Sequence, residues 1–358
     1  MKHLNWLYRR LYEGVNYRLR TVAQSRFAGA CRPTSIIFLL TELCTARCVH
    51  CDIWKNNFRE DSPAADQWKT VLSDLRSWLG PVYVAFSGGE ALMKGFTYAL
   101  VAHCRELGLF LEVLTHGYWK DQKKIERLAL ARPSRVTVSL DGIGQTHTRV
   151  RGWPNFWELT STSIETLVRL RRERNLDYQI RLKNVIMEHN LDGVCEVARF
   201  ATRDGMHVFY QPIEQNYNTP EDPQWFLHSP NWPKDVNRVI AVVEQLIRMK
   251  QQGFHIDNSR AQLEAMIPYF RNPDAMRVAV QAHMAHEHRA LCSALTTLQF
   301  QSNGDVTICT SQKPVGNIKQ APIREIWERR PRFWEGGCCL ERRCSQAEKE
   351  TLSLPVLQ

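Results

Sequence analysis

Cys44, Cys48 and Cys51 form a C-x3-C-x2-C triplet, three thiols within eight residues. Thiolates are soft ligands, and three on one loop can wrap a single soft-metal centre. A structural zinc site usually takes four ligands. An iron–sulfur cube held by three thiolates instead leaves one iron open to a ligand that is not protein. Ser87-Gly88-Gly89-Glu90 follows downstream, then Ser139-Leu140-Asp141-Gly142 with His147, Arg151 and Gly152 beyond it. Glycines permit close backbone approach, and Glu90 offers an acceptor for an ammonium group. Five more cysteines, Cys292, Cys309, Cys338, Cys339 and Cys344, crowd the C-terminal part.

These motifs need elements to position them, and the chain supplies a regular alternation. Candidate strands are Ser35–Leu40, Val82–Ser87, Phe110–Thr115, Arg135–Leu140, Tyr178–Lys183 and His207–Pro212. Amphipathic stretches at Ala64–Leu79, Phe96–Leu107, Gln122–Ala131, Phe156–Arg174, Leu191–Arg203 and Lys234–Gln252 read as helices, with Pro81, Gly108, Pro133 and Gly205 at the joins. Strand–helix repetition predicts a parallel sheet with helical crossovers. Six units ending near Gly253 fit a partial (β/α)6 TIM-like barrel of class α/β. In such barrels chemistry sits on the loops after the strands, where the cysteine triplet, Ser87–Glu90 and Ser139–Gly142 fall. Glu214–Asp235, rich in Pro, Asn and aromatic residues, predicts a long loop that serves as a lid or substrate wall. The expected division is 1–32, 33–290 for the barrel, 291–344 for a small cysteine-rich domain, and a tail at 345–358.

The 358 residues suffice for a sizeable core, and their aromatic content excludes intrinsic disorder. The longest apolar run, near Ile36–Leu40, falls far short of the roughly 18–20 residues a bilayer span needs. Residues 1–32 carry no apolar segment of the secretory kind, so a cytoplasmic location with reduced thiols is expected. Those 32 residues hold seven basic side chains against Glu13 alone. Leu4, Leu7, Tyr8, Leu11, Tyr12 and Val15 recur at helical spacing, which predicts a basic amphipathic helix. The simple expectation is a helix packed on the barrel with its basic face solvated; peripheral contact with a membrane surface or an acidic partner is the alternative.

Spacing and position of the triplet, with Gly-Gly-Glu after the second strand and Ser-Leu-Asp-Gly after the fourth, resemble the radical S-adenosylmethionine (radical SAM) superfamily. The resemblance covers about Ser35–Cys344. It implies a [4Fe-4S] cluster on Cys44, Cys48 and Cys51 that binds S-adenosylmethionine, with Ser87, Gly88, Gly89 and Glu90 around the methionine amino group. Ser139 and Asp141 would meet ribose hydroxyls or a nearby polar group. Two positions depart from the common pattern. His50 stands where relatives often place an aromatic residue against adenine, and an imidazole can stack similarly. His116 occupies the middle of Thr115-His116-Gly117, where Thr-Asn-Gly is frequent. The C-terminal cysteines, with Gly316-Asn317-Ile318 and Ile326-Trp327 between them, resemble the SPASM and Twitch auxiliary domains. Too few cysteines remain for two complete clusters, so one auxiliary [4Fe-4S] cluster on Cys292, Cys309, Cys344 and either Cys339 or Cys338 is implied. Cys31, Cys104 and Cys195 read as ordinary buried thiols.

The activity implied is reductive cleavage of S-adenosylmethionine to a 5′-deoxyadenosyl radical that abstracts hydrogen from the substrate. A flavodoxin- or ferredoxin-type electron donor follows from that chemistry. Arg149, Arg151, Arg181 and Lys183, near strand ends, with Gln211 near the end of the sixth strand, suggest a small anionic substrate. Maturation of a ribosomally made peptide, transfer of a 3-amino-3-carboxypropyl group, and a non-catalytic zinc protein are the competing readings. No nucleic-acid partner is expected.

Overall fold

Alternation along the strands sets the architecture. The computed structural model describes residues 2–22, 30–56, 61–220, 222, 224–273, 295–308 and 313–330. The six expected strands appear as β1 (Ser35–Leu39), β2 (Tyr83–Ser87), β3 (Phe110–Thr115), β4 (Arg135–Ser139), β5 (Gln179–Ile186) and β6 (His207–Pro212). Neighbours pair in parallel in chain order. Ile36 and Phe38, Val84 and Phe86, Leu111 and Val113, Val136 and Val138, Ile180 and Leu182, Val208 and Tyr210 are all buried and face the surrounding helices. The alternate residues point into the barrel. One end of that interior therefore receives Glu112, Thr137 and Arg181, and the other Ser87, Ser139, Lys183 and Gln211.

The helices are α1 (Lys2–Val22), α2 (Ala65–Leu79), α3 (Thr97–Glu106), α4 (Lys123–Ala131), α5 (Gln145–Arg151), α6 (Phe156–Glu173), α7 (Val194–Arg203), α8 (Trp225–His228), α9 (Val236–Gln251), α10 (Arg260–Glu264), α11 (Met266–Arg271) and α12 (Ile323–Glu328). Helix α5 is not announced by the apolar pattern. Gln-Thr-His-Thr-Arg-Val-Arg lacks an apolar period, and burial of His147, Val150 and Arg151 holds it in place.

The sheet is open and continues past β1. Strands β7 (Thr297–Phe300), β8 (Asp305–Thr307) and β9 (Gly316–Asn317) extend it in the order β6-β5-β4-β3-β2-β1-β7-β8-β9. Strand β7 runs parallel to β1, and β8 and β9 return antiparallel. Phe300 stacks on Phe38 at 4.3 Å between ring centroids. Trp327 of α12 lies 6.2 Å from Trp78 of α2. The described part of the expected C-terminal domain is thus built onto the barrel edge. Cys292, Cys309, Cys338, Cys339, Cys344 and the tail at 345–358 lie outside the described residues. Cys31 and Cys104 are buried and Cys195 is half-buried.

Candidate active site

The chain leaves β1 at Leu39 and enters the cysteine loop, which makes few hydrogen bonds to itself and many to its surroundings. On one side Arg47 N and Val49 N donate to Arg151 O and Val150 O at 3.1 and 3.0 Å. Gly152 follows at φ +79, and a Cβ there would strike Arg47 O, so only glycine lets α5 end against the loop. On the other side lies the Glu214–Asp235 segment. Asp52 N donates to Tyr217 O at 3.1 Å, and Asn231 Nδ2 donates to Val49 O at 2.8 Å. The Arg47 guanidinium sits over the rings of Trp54 and Trp153. The segment expected to be a lid or wall is therefore a wall, and it also buttresses the loop.

Together these pieces enclose a cavity of about 330 Å³ at the C-terminal mouth of the barrel. Cys44, Cys48, Cys51, His50, Ser87, Gly88, Gly89, His116, Ser139, Arg151 and Gln211 line it, joined by Lys183, Glu214 and Tyr217. Tyr217 and Asn231 have no signal in the sequence; only the return of a distant loop brings them here. Four expected residues take other places. Glu90 and Asp141 are buried beneath the cavity wall. Arg149 is exposed and donates to His189 O at 3.2 Å, because two residues along a helix turn about 200° and send it opposite Arg151. Arg181 lies at the far end of the barrel, paired with Glu112.

Burial governs the electrostatics. It raises the Cys44 thiol to about 12, with Glu90 adding to the effect, and it raises Cys48 and Cys51 as well. Arg151 is the cation that counters this at Cys48, donating to Sγ at 3.4 Å. Its other terminal nitrogen lies 2.6 Å from Asp141 Oδ2, an ion pair that lacks hydrogen-bond alignment. Burial disfavours the Arg151 cation, but Asp141 and Cys48 outweigh that and lift its pKa. Burial likewise opposes the Asp141 carboxylate, yet Arg151 holds it below the usual range. Asp141 Oδ1 accepts from Val185 N at 3.0 Å. With both oxygens engaged, Asp141 positions Arg151 instead of facing a ribose. Arg151, expected among substrate contacts, is committed to Asp141 and the cysteine loop.

Within the Gly-Gly-Glu turn, Gly88 and Gly89 line the cavity and only Glu90 lies behind it. A Cβ at Gly88 would strike Thr41 O, and one at Gly89 would strike the carbonyl oxygens of Glu42 and Leu43. The glycines let the turn tuck under the cysteine loop. Glu90 accepts from His116 N at 2.7 Å, Thr115 Oγ1 at 3.1 Å and Leu92 N at 3.1 Å. Burial still raises its pKa to about 7. His116 Nδ1 accepts from Tyr118 N at 2.9 Å, so its proton resides on Nε2, 3.0 Å from Thr45 Oγ1. Burial lowers His116 to about 3; its 3.4 Å approach to Glu90 is therefore between a neutral ring and a carboxyl group. His147 Nδ1 accepts from Asp141 N at 3.1 Å, and burial lowers its pKa to about 3. His50 is lowered to about 4, again by burial, and its Nδ1 is buried with no hydrogen-bond partner.

Comparison with known proteins bears on this cavity. The family model described as the radical SAM superfamily matches residues 38–205, and one described as an iron–sulfur cluster-binding domain, SPASM, matches residues 292–349. The chain belongs to the radical SAM superfamily. This radical SAM enzyme is 26% identical over 315 residues to the AdoMet-dependent heme synthase of Methanosarcina barkeri, covering 83% of this chain and 82% of that protein. It is 26% identical over 329 residues to the pre-heme d1 synthase of Dinoroseobacter shibae, covering 85% and 78%. Its fold is similar to that of Streptococcus suis SuiB bound to S-adenosylmethionine. The TM-score is 0.61 at 16% identity, covering 83% of this chain and 65% of that one.

A radical SAM domain binds S-adenosylmethionine and a [4Fe-4S] cluster, and a SPASM domain binds auxiliary iron–sulfur clusters. The cavity fits the first pair. Cys48 is buried and Cys44 and Cys51 are half-buried; a cationic iron centre would favour the thiolate form that their burial opposes. Among the described residues no three His, Cys, Asp or Glu side chains converge on one ion; a cube binds each thiolate at a separate iron. The buried, unpartnered His50 Nδ1 leaves a polar edge for a heterocycle.

Proposed function

We propose that this radical SAM enzyme abstracts hydrogen from a small anionic metabolite, in the cytoplasm, with electrons from a flavodoxin- or ferredoxin-type donor. The observation that carries the reading is Lys183. It points from β5 into the cavity beside Gln211, with Glu214 also on the cavity wall. Burial lowers its pKa, with Glu214 opposing. A cation partly withdrawn from water and countered only by Glu214 is costly, and a carboxylate or phosphate on the substrate would offset that. Two relatives matched over more than four fifths of the chain are named as a heme synthase and a pre-heme d1 synthase, which supports a metabolite over a peptide.

In this reading Cys44, Cys48 and Cys51 hold the cluster, and Ser87, Ser139 and the Gly88–Gly89 backbone cradle the cofactor, with neutral His50 against its base. When bound, cluster and cofactor supply one-electron cleavage of a carbon–sulfur bond and a 5′-deoxyadenosyl radical. The protein's own tasks are orientation and exclusion of water. Arg151 fixes Cys48, the Glu214–Asp235 wall closes the mouth, and Lys183 with Gln211 grips the substrate anion. Cys292, Cys309, Cys344 and Cys339 or Cys338 would hold an auxiliary cluster.

The test is to incubate reduced enzyme and S-adenosylmethionine with carboxylated metabolites, heme precursors first, and with peptides. Formation of 5′-deoxyadenosine and the mass of the product are followed. Stimulation by an anionic metabolite, with KM raised about tenfold or more in Lys183→Gln, is the expected result. Stimulation by peptides alone, or an unchanged KM in Lys183→Gln, would overturn it.

A further inference from the structure

Helix α1 is mounted with its polar side inward. Asn5 Nδ2 donates to Gly108 O at 3.2 Å, Tyr8 OH to Leu79 O at 2.7 Å, Arg9 Nη1 to Pro81 O at 3.4 Å, and Tyr12 OH to Pro33 O at 2.6 Å. Asn16 Oδ1 accepts from Arg32 N at 2.8 Å, and the Arg9 guanidinium lies over the Phe110 ring at 5.1 Å. These residues recur every three or four positions and form one helical face. Their partners lie just before β1, β2 and β3, so α1 is bolted across the N-terminal floor of the barrel, opposite the cysteine loop.

The apolar stripe is consequently displaced outward. Leu4, Leu7, Leu11 and Val15 occupy a separate face and are 68, 44, 61 and 56% exposed. This reverses the simple expectation of an apolar face packed on the domain. Exposed Trp6 and Tyr17 flank the stripe on one side, with Arg10 stacked over Trp6 at 5.5 Å, and exposed Arg18 stands within it. Residues 1–32 carry seven basic side chains to one acidic. An apolar stripe edged by arginine and interfacial aromatics matches a helix lying in the plane of a bilayer surface. No helix among the described residues is long and apolar enough to cross a membrane.

We propose that α1 docks the enzyme onto an anionic lipid surface. Charge selects this occupant over a second copy of the chain. A two-fold contact would set the same arginine-edged stripe against itself, and like charges facing one another oppose it. Anionic headgroups answer those arginines while acyl chains take Leu4, Leu7, Leu11 and Val15. Because α1 lies on the floor, docking leaves the cavity mouth facing away from the lipid and open to donor and substrate.

The test is sedimentation of the full holoenzyme with vesicles of phosphatidylglycerol or of phosphatidylcholine, with light scattering in parallel. We expect binding to phosphatidylglycerol at least about tenfold tighter than to phosphatidylcholine, weakening as salt is raised. Leu7→Glu/Leu11→Glu should abolish pelleting while iron content, melting temperature and S-adenosylmethionine cleavage stay as in the parent. Equal pelleting of parent and variant, or no preference for the anionic vesicle, would overturn the proposal. So would a parent dimer that Leu11→Glu converts to a monomer, which would make a second copy the occupant.

Discussion

The two ends of the barrel each bury a charged network, and the networks differ in whether they are closed. At the floor, Glu112 is fully buried and accepts from Tyr83 OH, Thr137 Oγ1 and Arg181 Nη2, with Arg135 3.7 Å away. None of these five residues has a buried polar atom without a partner. At the mouth, Asp141, Arg151 and Cys48 form a comparable chain, but His50 Nδ1, His147 Nε2 and Arg151 Nε are buried and unpartnered. A closed network spends its interactions on the fold. An open one keeps groups in reserve for something that binds.

The sharpest way to break this contrast is to replace Cys44, Cys48 and Cys51 with alanine. Cleavage of S-adenosylmethionine should vanish and the corresponding iron and sulfide be lost, while urea unfolding of the floor, followed by Tyr83 and its neighbours, changes little. Persistent cleavage would remove the cysteine loop from the chemistry. The mirror experiment is Glu112→Ala, which removes the shared acceptor of Tyr83, Thr137 and Arg181 and leaves a buried void. It should cost about 3–5 kcal/mol of unfolding free energy; a loss below about 1 kcal/mol would show the floor to be as open as the mouth. Arg151→Met tests the bridge between ligand and fold. By analogy with other partners of metal ligands, cluster affinity or turnover should fall about 10–100-fold, and the reduction midpoint followed by electron paramagnetic resonance should move to lower potential as a cation beside Cys48 is lost.

The smallest effect is in pH. His116 and His147 have native pKa values near 3 against about 6.5 unfolded. Both states are neutral above pH 6.5, so the stability from keeping these rings neutral is fully present there. As pH falls below 6.5 only the unfolded chain takes up protons, and stability declines by up to about 1.4 kcal/mol per pH unit for each ring. The melting temperature should drop between pH 6.5 and 5, and His147→Asn should shallow that slope; an unchanged slope would mean the ring is not held neutral.

Much of this molecule is legible before any coordinates. The apolar period marked six strands and the helices between them to within a few residues, because β-branched runs and amphipathic helices are local signals. It did not mark α5, whose helix depends on burial of His147 and Arg151 rather than on its own composition. The cysteine triplet and the glycine turn were legible as chemistry, yet what Gly88 and Gly89 pack against was not. The close approach they permit is to a loop more than forty residues earlier.

The sequence by itself determined which residues could do chemistry: three thiols after the first strand, a serine at the end of the fourth, and a basic helix with an apolar stripe. Only the tertiary structure decided which way they face. Arg149 and Arg151, two residues apart on a helix, part toward solvent and cavity. Arg181 and Lys183, on one face of a strand, fall to floor and mouth, since each pair of residues advances about 6.6 Å along β5. Helix α1 shows an apolar side by spacing alone, but five polar contacts to the barrel floor determine that this side points outward. Periodicity is a property of the chain; direction is a property of what the chain packs against.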